Sequence, residues 1–383
     1  MRVAYVGDFI NHGKSLQTAG TALVLLLSSL KDVELVDVYC PTLNEKVEPF
    51  EPPKNVKITE FYRYNDPVSI LRLLNVEWKK YDVTIFNLLP TTFGDSSISN
   101  SVGLLIPLVI SKLVKHEGIK VIYHNSVFTN DIAKLGYDSI YDKIRAFFLS
   151  LVEKAIFKNV DTYVLLNLYK TRIDKSIGKN RVKYLNARYL EAITTLYLNH
   201  VIGEEEIMKE KNDVPIVLMH GAWGPQKNIE IGLSALKKVK DSGVKFKLII
   251  SGGINHHFPE YEKHFREMLR KHADLFYQYL GPVPEKKIME LFTQADLLIL
   301  PYNTPGGHSA VLEQGILFDV STIAINFPEY REQVSGLYNI YLVELSKLSA
   351  LLKEIIPLTA TERKIIIKKK LVNLMENMQV LLK

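Results

Sequence analysis

Five short stretches carry residue types that could bind or move charge. In PIVLMHGAWGPQKNIEIGLSALKKV, Lys227 and Asn228 stand where a helix begins, after an apolar run and a turn holding Gly221, Gly224 and Pro225. A lysine at a helix start opposes the helix dipole unless an anion binds both. Lys227 is therefore a phosphate-ligand candidate, against the alternative of a solvated lysine. In NTPGGHSAVLEQGI, Gly306, Gly307, His308 and Ser309 precede another helix, with Glu313 in its first turn. That loop offers backbone N–H groups to an anion. The Glu313 carboxylate can accept two hydrogen bonds from vicinal hydroxyls such as those of a ribose, at about 1.5–3 kcal/mol each.

KLIISGGINHH sets Gly252 and Gly253 after a buried run, where missing side chains allow a ligand to approach closely or the chain to turn tightly. VIYHNS puts His124 at the carboxyl edge of another run. An imidazole there suits hydrogen bonding or proton transfer to a bound molecule, although a histidine that only caps the sheet fits equally well. GDFINHGKSLQTAG invites a phosphate-loop reading through Gly13, Lys14 and Ser15, but Gly7 and Gly13 enclose five residues where that motif has four. What survives is an anion-binding turn at Gly13 or an ordinary glycine turn.

The elements that must position these residues are legible as apolar runs separated by helical patterns. Runs at 2–7, 36–39, 83–87, 121–124 and 162–167 alternate with helical stretches at 19–30, 102–116 and 141–157. The pattern restarts with runs at 216–219, 246–251, 275–280, 297–300 and 322–325 and helices at 229–241, 260–273, 286–294 and 310–317. Val/Ile/Leu-rich runs alternating with helices feed parallel sheets buried on both faces, so the expected fold is α/β with two doubly wound, Rossmann-like domains facing across a cleft. Ligands of such sheets bind beyond the carboxyl ends of the strands, where the candidate residues lie. The charged stretch GEEEIMKEKNDVP at 203–215 reads as the interdomain connection, and 361–383 as an amphipathic helix with a basic cluster at Lys368, Lys369 and Lys370.

Composition narrows the classes. A hydrophobic share of 47% with 23% charged residues fits a folded chain. One cysteine, Cys40, rules out a disulfide framework and any multi-cysteine metal site and reads as a lone buried thiol. A net charge of +6 is too small and dispersed for a nucleic-acid groove. No signal peptide or membrane span is expected, because the first residues enter a strand directly and the apolar stretch near 102–110 is interrupted by Pro107 and stopped by Lys112. No Asp-x-Asp follows any run, which argues against a metal-assisted phosphate site, and His256, His257, His264 and His272 read as surface histidines.

Taken in order, HGAWGPQKN, ISGG, YLGPV, ADLLILPY and PGGHSAVLE resemble the nucleotide-sugar domain of the retaining, GT-B-fold glycosyltransferases of family 4, the "group 1" set. The resemblance covers residues 213–335, and RAFFLSLVEKAIFKNVDTYVLLN, from Arg145, resembles the segment that ends that family's amino-terminal domain. It implies an amino-terminal acceptor-side domain at 1–205, a nucleotide-sugar domain at 213–355, and a tail helix at 361–383 packing back towards the first domain. By position, Lys227 matches the lysine on the donor diphosphate and Glu313 the glutamate on the ribose hydroxyls. Gly281 and Val283 match the loop at the base, Gly307, His308, Ser309 and Ala310 the backbone facing the phosphates, and His124 the histidine beside the transferred sugar.

The resemblance further implies a hexosyltransferase that moves a hexose from a UDP- or GDP-sugar to a glycan or lipid-linked acceptor hydroxyl with retention, without metal or other cofactor. It would work in the cytoplasm or at the cytoplasmic face of a membrane. Two departures stand out: Ala222 replaces the family arginine and Pro305 the first glutamate of the Glu-x7-Glu motif. They keep two rivals in play, a sugar-nucleotide epimerase on the same fold and a non-catalytic binding subunit. Peripheral membrane contact through the aromatic helix at 145–157 and the basic tail is a further expectation, weighed against a buried face for that helix.

Overall fold

The computed structural model describes residues 1–9, 15–42, 51–89, 91–94, 96–114, 116–127, 133, 135–178, 182–185, 206–361, 363–366 and 382. They form two compact units, each built on a parallel sheet. The first contains β1 (Arg2–Gly7), β2 (Leu35–Pro41), β3 (Val56–Tyr62), β4 (Val83–Leu88), β5 (Ile119–Tyr123), β6 (Asp161–Val164) and β7 (Val182–Tyr184), in the order β3-β2-β1-β4-β5-β6-β7. Every pairing is parallel. The residues of β4 and β5 are buried throughout, the pattern of strands covered on both faces.

The second unit repeats the plan with β9 (Ile216–His220), β10 (Lys247–Ser251), β11 (Phe276–Tyr279), β12 (Leu297–Leu300), β13 (Ser321–Ile325) and β14 (Ile340–Val343), ordered β11-β10-β9-β12-β13-β14. Strand order reverses beside β1 in the first unit and beside β9 in the second, so each unit has a switch point at which a ligand crevice opens. Val217, Met219, Leu248, Ile250, Leu297 and Ile299 form the centre of the second core.

Several segments differ from expectation. β3, β7 and β14 add outer strands; β3 alternates buried and open positions along VKITEFY because it is an edge strand with one face uncovered. The charged 203–215 stretch is not all linker, since β8 (Glu206–Lys209) pairs antiparallel with β15 (Arg363–Ile366). The tail at 361–383 therefore begins as a strand rather than a helix, because its β-branched isoleucines favour the pleated ladder; most of the remainder, Lys368, Lys369 and Lys370 included, lies outside the described residues. Leu382 packs against the core of the first unit.

Lys209 is buried on this ribbon, its Nζ 2.5 Å from Asp296 Oδ1. Ser97–Val114 is long and apolar enough to cross a membrane by length and composition. Its Gly103, Leu104, Ile106 and Ile110 are nonetheless buried in the first unit, with Gly103 lying so close to Phe93 that no side chain fits there. Cys40 is buried and burial pushes its thiol up to about 12, which leaves it unreactive at neutral pH.

Candidate functional site

In the second unit three neighbouring strands run into glycines whose backbones stack. Gly221 follows β9 and Gly252 follows β10, and a methyl at Gly252, which has φ 101°, would collide with the Gly221 carbonyl. The Gly252 N–H donates to the Gly281 carbonyl at 2.6 Å, bringing in the turn beyond β11. The ladder continues outward: Trp223 N–H donates to Gly253 O at 2.8 Å, Asn255 N–H to Trp223 O at 2.8 Å, and Trp223 Nε1 to Ser251 O at 3.1 Å. Val283 follows Pro282, which packs on Gly253. The strand ends thus form a wall of backbone with little side chain in front of it.

Lys227 closes a single turn of 3-10 helix, Pro225–Lys227, and Asn228 then takes a left-handed conformation, φ 50° and ψ 51°, to start the helix Ile229–Asp241. Asn303, from the loop after β12, holds this turn by donating its N–H to Gln226 O and its Nδ2 to Pro225 O, each at 3.1 Å. The half-buried Lys227 ammonium lies 3.7 Å from the centroid of the Tyr302 ring, and a methyl at Gly221 would touch both its end and the Tyr302 hydroxyl. No carboxylate pairs with it among the described residues, and burial lowers its pKa from 10.5 to about 7. The buried Tyr302 hydroxyl likewise has no hydrogen-bond partner among the described residues. A cation and a hydroxyl kept without an acceptor, beside a glycine wall, suit an anionic ligand.

His220, the last residue of β9, stands close by. Its Nδ1 is 2.8 Å from Ser251 Oγ and its ring meets the edge of Phe292. Burial and then the Lys227 charge push it down to about 4, so the ring is neutral near pH 7.

The second cluster surrounds Glu313. Ser309 caps the helix Ala310–Leu317 through its hydroxyl, which accepts from Leu312 N–H at 3.3 Å, and Gly306 and Gly307 before it have φ of 61° and 107°. Glu313 is only 3% exposed. Its Oε1 accepts from Gln333 Nε2 at 2.8 Å and lies 3.0 Å from His308 Nε2, while its Oε2 is buried with no partner among the described residues. Gln333 also clamps the loop: Ser309 N–H donates to its Oε1 at 3.1 Å, and its Nε2 donates to Ser309 O at 2.9 Å. One oxygen is fixed in place and the other is left for a hydroxyl donor, which is what diol recognition needs.

In the first unit His124 directly follows β5 and is buried. Its Nε2 lies 2.6 Å from Asn87 Oδ1, Asn87 Nδ2 donates to Tyr5 Oη at 3.1 Å, and Tyr5 Oη donates to Asp8 O at 2.9 Å. Because Tyr5 gives its proton to a carbonyl, it accepts from the Asn87 amide, which leaves Asn87 Oδ1 facing His124. The Nε2 of His124 therefore carries hydrogen, and its Nδ1 is the basic nitrogen. The loop beyond is pinned by the fully buried Glu153, which accepts from Tyr123 Oη at 3.0 Å, Ser126 Oγ at 2.6 Å and Val127 N–H at 3.0 Å.

Within the second unit the fold brings Gly252 and Gly281 together with Lys227 at the strand ends, and Gly306, Gly307, His308, Ser309 and Ala310 with Glu313. His124 belongs to the first unit and Gly13 lies outside the described residues. His308 packs on Glu313 rather than on the surface loop, and His272 is buried at the end of the helix Tyr261–Lys271, not exposed as expected. Among the described residues no three His, Cys, Asp or Glu side chains converge as a metal site. Sequence reasoning missed His220, Tyr302, Gln333, Asn87 and Glu153. The signal available was the polar or aromatic residue closing an apolar run at His220, Tyr302 and Asn87; nothing local marks Gln333 or Glu153.

Residues 204–376 match the family model described as "Glycosyl transferases group 1". No curated protein matches the chain. Among solved structures, sucrose-phosphate synthase from Thermosynechococcus elongatus is 14% identical with a TM-score of 0.63, covering 100% of this chain and 95% of that one. Anabaena HepE in complex with UDP-glucose is 13% identical with a TM-score of 0.59, over 98% of this chain and 95% of that one. UDP-GlcNAc 2-epimerase from Neisseria meningitidis, bound to UDP-GlcNAc, is 12% identical with a TM-score of 0.56, over 99% of both chains.

Proposed function

Proceeding from a GT-B chain whose residues 204–376 are a group 1 glycosyl transferase domain, we propose that the protein moves a hexose from a nucleoside diphosphate sugar to the hydroxyl of a glycan or lipid-linked acceptor, with retention and without metal. The observation that carries this reading is the pair of incomplete partners in the second unit. Lys227 has an ammonium and no carboxylate, and Glu313 has one carboxylate oxygen bonded and one empty.

In this reading the diphosphate lies against Gly221, Gly252 and Lys227, and the ribose hydroxyls donate to Glu313 Oε2. When the bond from the anomeric carbon to the diphosphate breaks, the electron pair leaves on phosphate oxygen. Lys227 and the N–H groups of the loop from Gly306 to Ser309 stabilise the charge that develops there. His220 sits where a second positive charge is wanted, since Ala222 brings none. A diphosphate beside its ring favours the imidazolium, so the site gains its second cation only when occupied. His124, with its Nδ1 basic, is assigned to the transferred sugar. Gly281 and Val283 are assigned to the base, of which uracil and guanine are the leading candidates. Gly13 is assigned to the anion as well.

Thermal denaturation with UDP, GDP, ADP and dTDP and with their hexose conjugates, with and without magnesium, tests the donor assignment. Stabilisation by one nucleotide, equal without magnesium, is expected. No stabilisation by any of them sinks the reading.

A second reading, a sugar-nucleotide epimerase, is favoured by Pro305 in place of a sugar-contacting carboxylate and by the likeness to the Neisseria epimerase. An assay that follows donor consumption with and without acceptor sugars separates the two. Turnover that needs no acceptor selects the epimerase. Nucleotide binding without any turnover selects a non-catalytic binding subunit.

A further inference from the structure

The helix Ile140–Asn159 of the first unit has two apolar faces, and only one of them is used by the fold. Leu149, Ile156 and Phe157 are buried, together with Glu153. On the opposite face Ile140 is 78% exposed, Tyr141 67%, Ile144 52%, Phe147 and Phe148 59% each, and Leu151 45%. These six recur at intervals of three and four residues and so form one stripe along the helix. The helix thus has the buried face expected of it, which takes in Phe157, and in addition an outward face that carries Tyr141, Phe147 and Phe148. Tyr141 Oη lies 3.4 Å from Ser97 Oγ, and Ile98, next in the chain, is 69% exposed, so the apolar surface continues onto the neighbouring helix.

The charges beside the stripe decide what covers it. Exposed Lys143 borders the stripe by its helical position, and exposed Lys158 continues it at its carboxyl end. The two acids of the helix point elsewhere: Glu153 is buried and Asp142 is bonded by Ser139 at the helix start. A second copy docked on this face would set lysine rims against each other. A surface that is apolar within and anionic at its boundary matches both the stripe and its margins.

We propose that this face is a docking surface for an anionic lipid bilayer, the helix lying in the headgroup boundary with Phe147 and Phe148 inserted and Lys143 and Lys158 on lipid phosphates. The proposal does not rest on the donor reading. The test uses the full chain with vesicles of phosphatidylcholine alone and of phosphatidylcholine mixed with phosphatidylglycerol. The protein is expected to sediment with the mixed vesicles and not with the neutral ones, and to be released by salt. The exposed pair F147S/F148S should lose binding at least tenfold, and K143E/K158E several-fold, with the melting temperature and its response to UDP unchanged in both variants. Wild-type protein that stays in the supernatant with mixed vesicles overturns the proposal, as does equal binding by F147S/F148S. A concentration-dependent dimer dispersed by F147S/F148S would give the face to a second copy and overturn it too.

Discussion

The Lys227 ammonium rests over the face of the Tyr302 ring, 3.7 Å from its centroid. The aromatic face holds the charge in position without neutralising it, as a carboxylate would, and so keeps it available to a ligand. Tyr302→Phe should keep this contact and remove only the buried hydroxyl. We expect little change in melting temperature and a nucleotide affinity lowered about three- to tenfold, the loss of one hydrogen bond of about 1 kcal/mol. Tyr302→Leu should cost more affinity, and calorimetry with UDP compares the two. Equal affinity of Tyr302→Phe and wild type would remove the hydroxyl from the site.

The depressed Lys227 gives the free protein a signed pH dependence. Between about pH 7 and the ordinary lysine value of 10.5 the unfolded chain binds a proton that the folded chain does not, so this group makes stability rise with pH across that window. Lys227→Met should flatten that slope, stabilise the free protein near neutral pH and abolish the nucleotide response. Urea titrations at about pH 6 and about pH 9 report it. A diphosphate that restores the charge must also draw in protons, so calorimetry in buffers of different ionisation enthalpy should show uptake on binding near pH 8.

Gln333 ties Glu313 to Ser309 from twenty or more residues away in the chain. Gln333→Leu leaves the buried Ser309 N–H without its acceptor and takes one donor each from Ser309 O and Glu313 Oε1, and a destabilisation of about 1–3 kcal/mol is expected from urea unfolding. Glu313→Gln keeps the packing but replaces the acceptor pair. Affinity for UDP should fall about tenfold, while affinity for pyrophosphate should not change.

Asn87 selects the tautomer of His124. Asn87→Leu should lower kcat about 100-fold, the cost of misplacing by about 1 Å a group beside the transferred sugar, with the thermal shift induced by UDP intact because UDP carries no transferred sugar for His124 to meet. An unchanged kcat would return His124 to the role of a sheet cap.

Much of the frame was legible because Val, Ile and Leu runs mark strands covered on both faces, and β1, β4, β5, β9, β10 and β12 are of that kind. β3 and β14 escaped because edge strands mix buried and open positions, and β8 because EIMK sits in a charged stretch whose partner lies far along the chain. Lys227 and Glu313 could be picked out because each sits at a fixed step from a glycine turn and a helix start. Gln333 and Glu153 could not, since their roles are set by contacts across the fold that no local spacing encodes. The exposed stripe of Ile140–Asn159 marks another limit: apolar periodicity shows that a helix has an apolar face but not what covers it.

The β8–β15 ribbon has a consequence for local opening. Lys209 Nζ, paired with Asp296, also donates to the Thr361 carbonyl at 3.3 Å, so one buried ammonium joins the first, middle and last segments of the second unit. Freeing β8 would strip Asp296 of its buried partner and leave an uncompensated charge, at a cost of about 3–5 kcal/mol, so this end of the unit resists fraying and opens with the sheet rather than ahead of it.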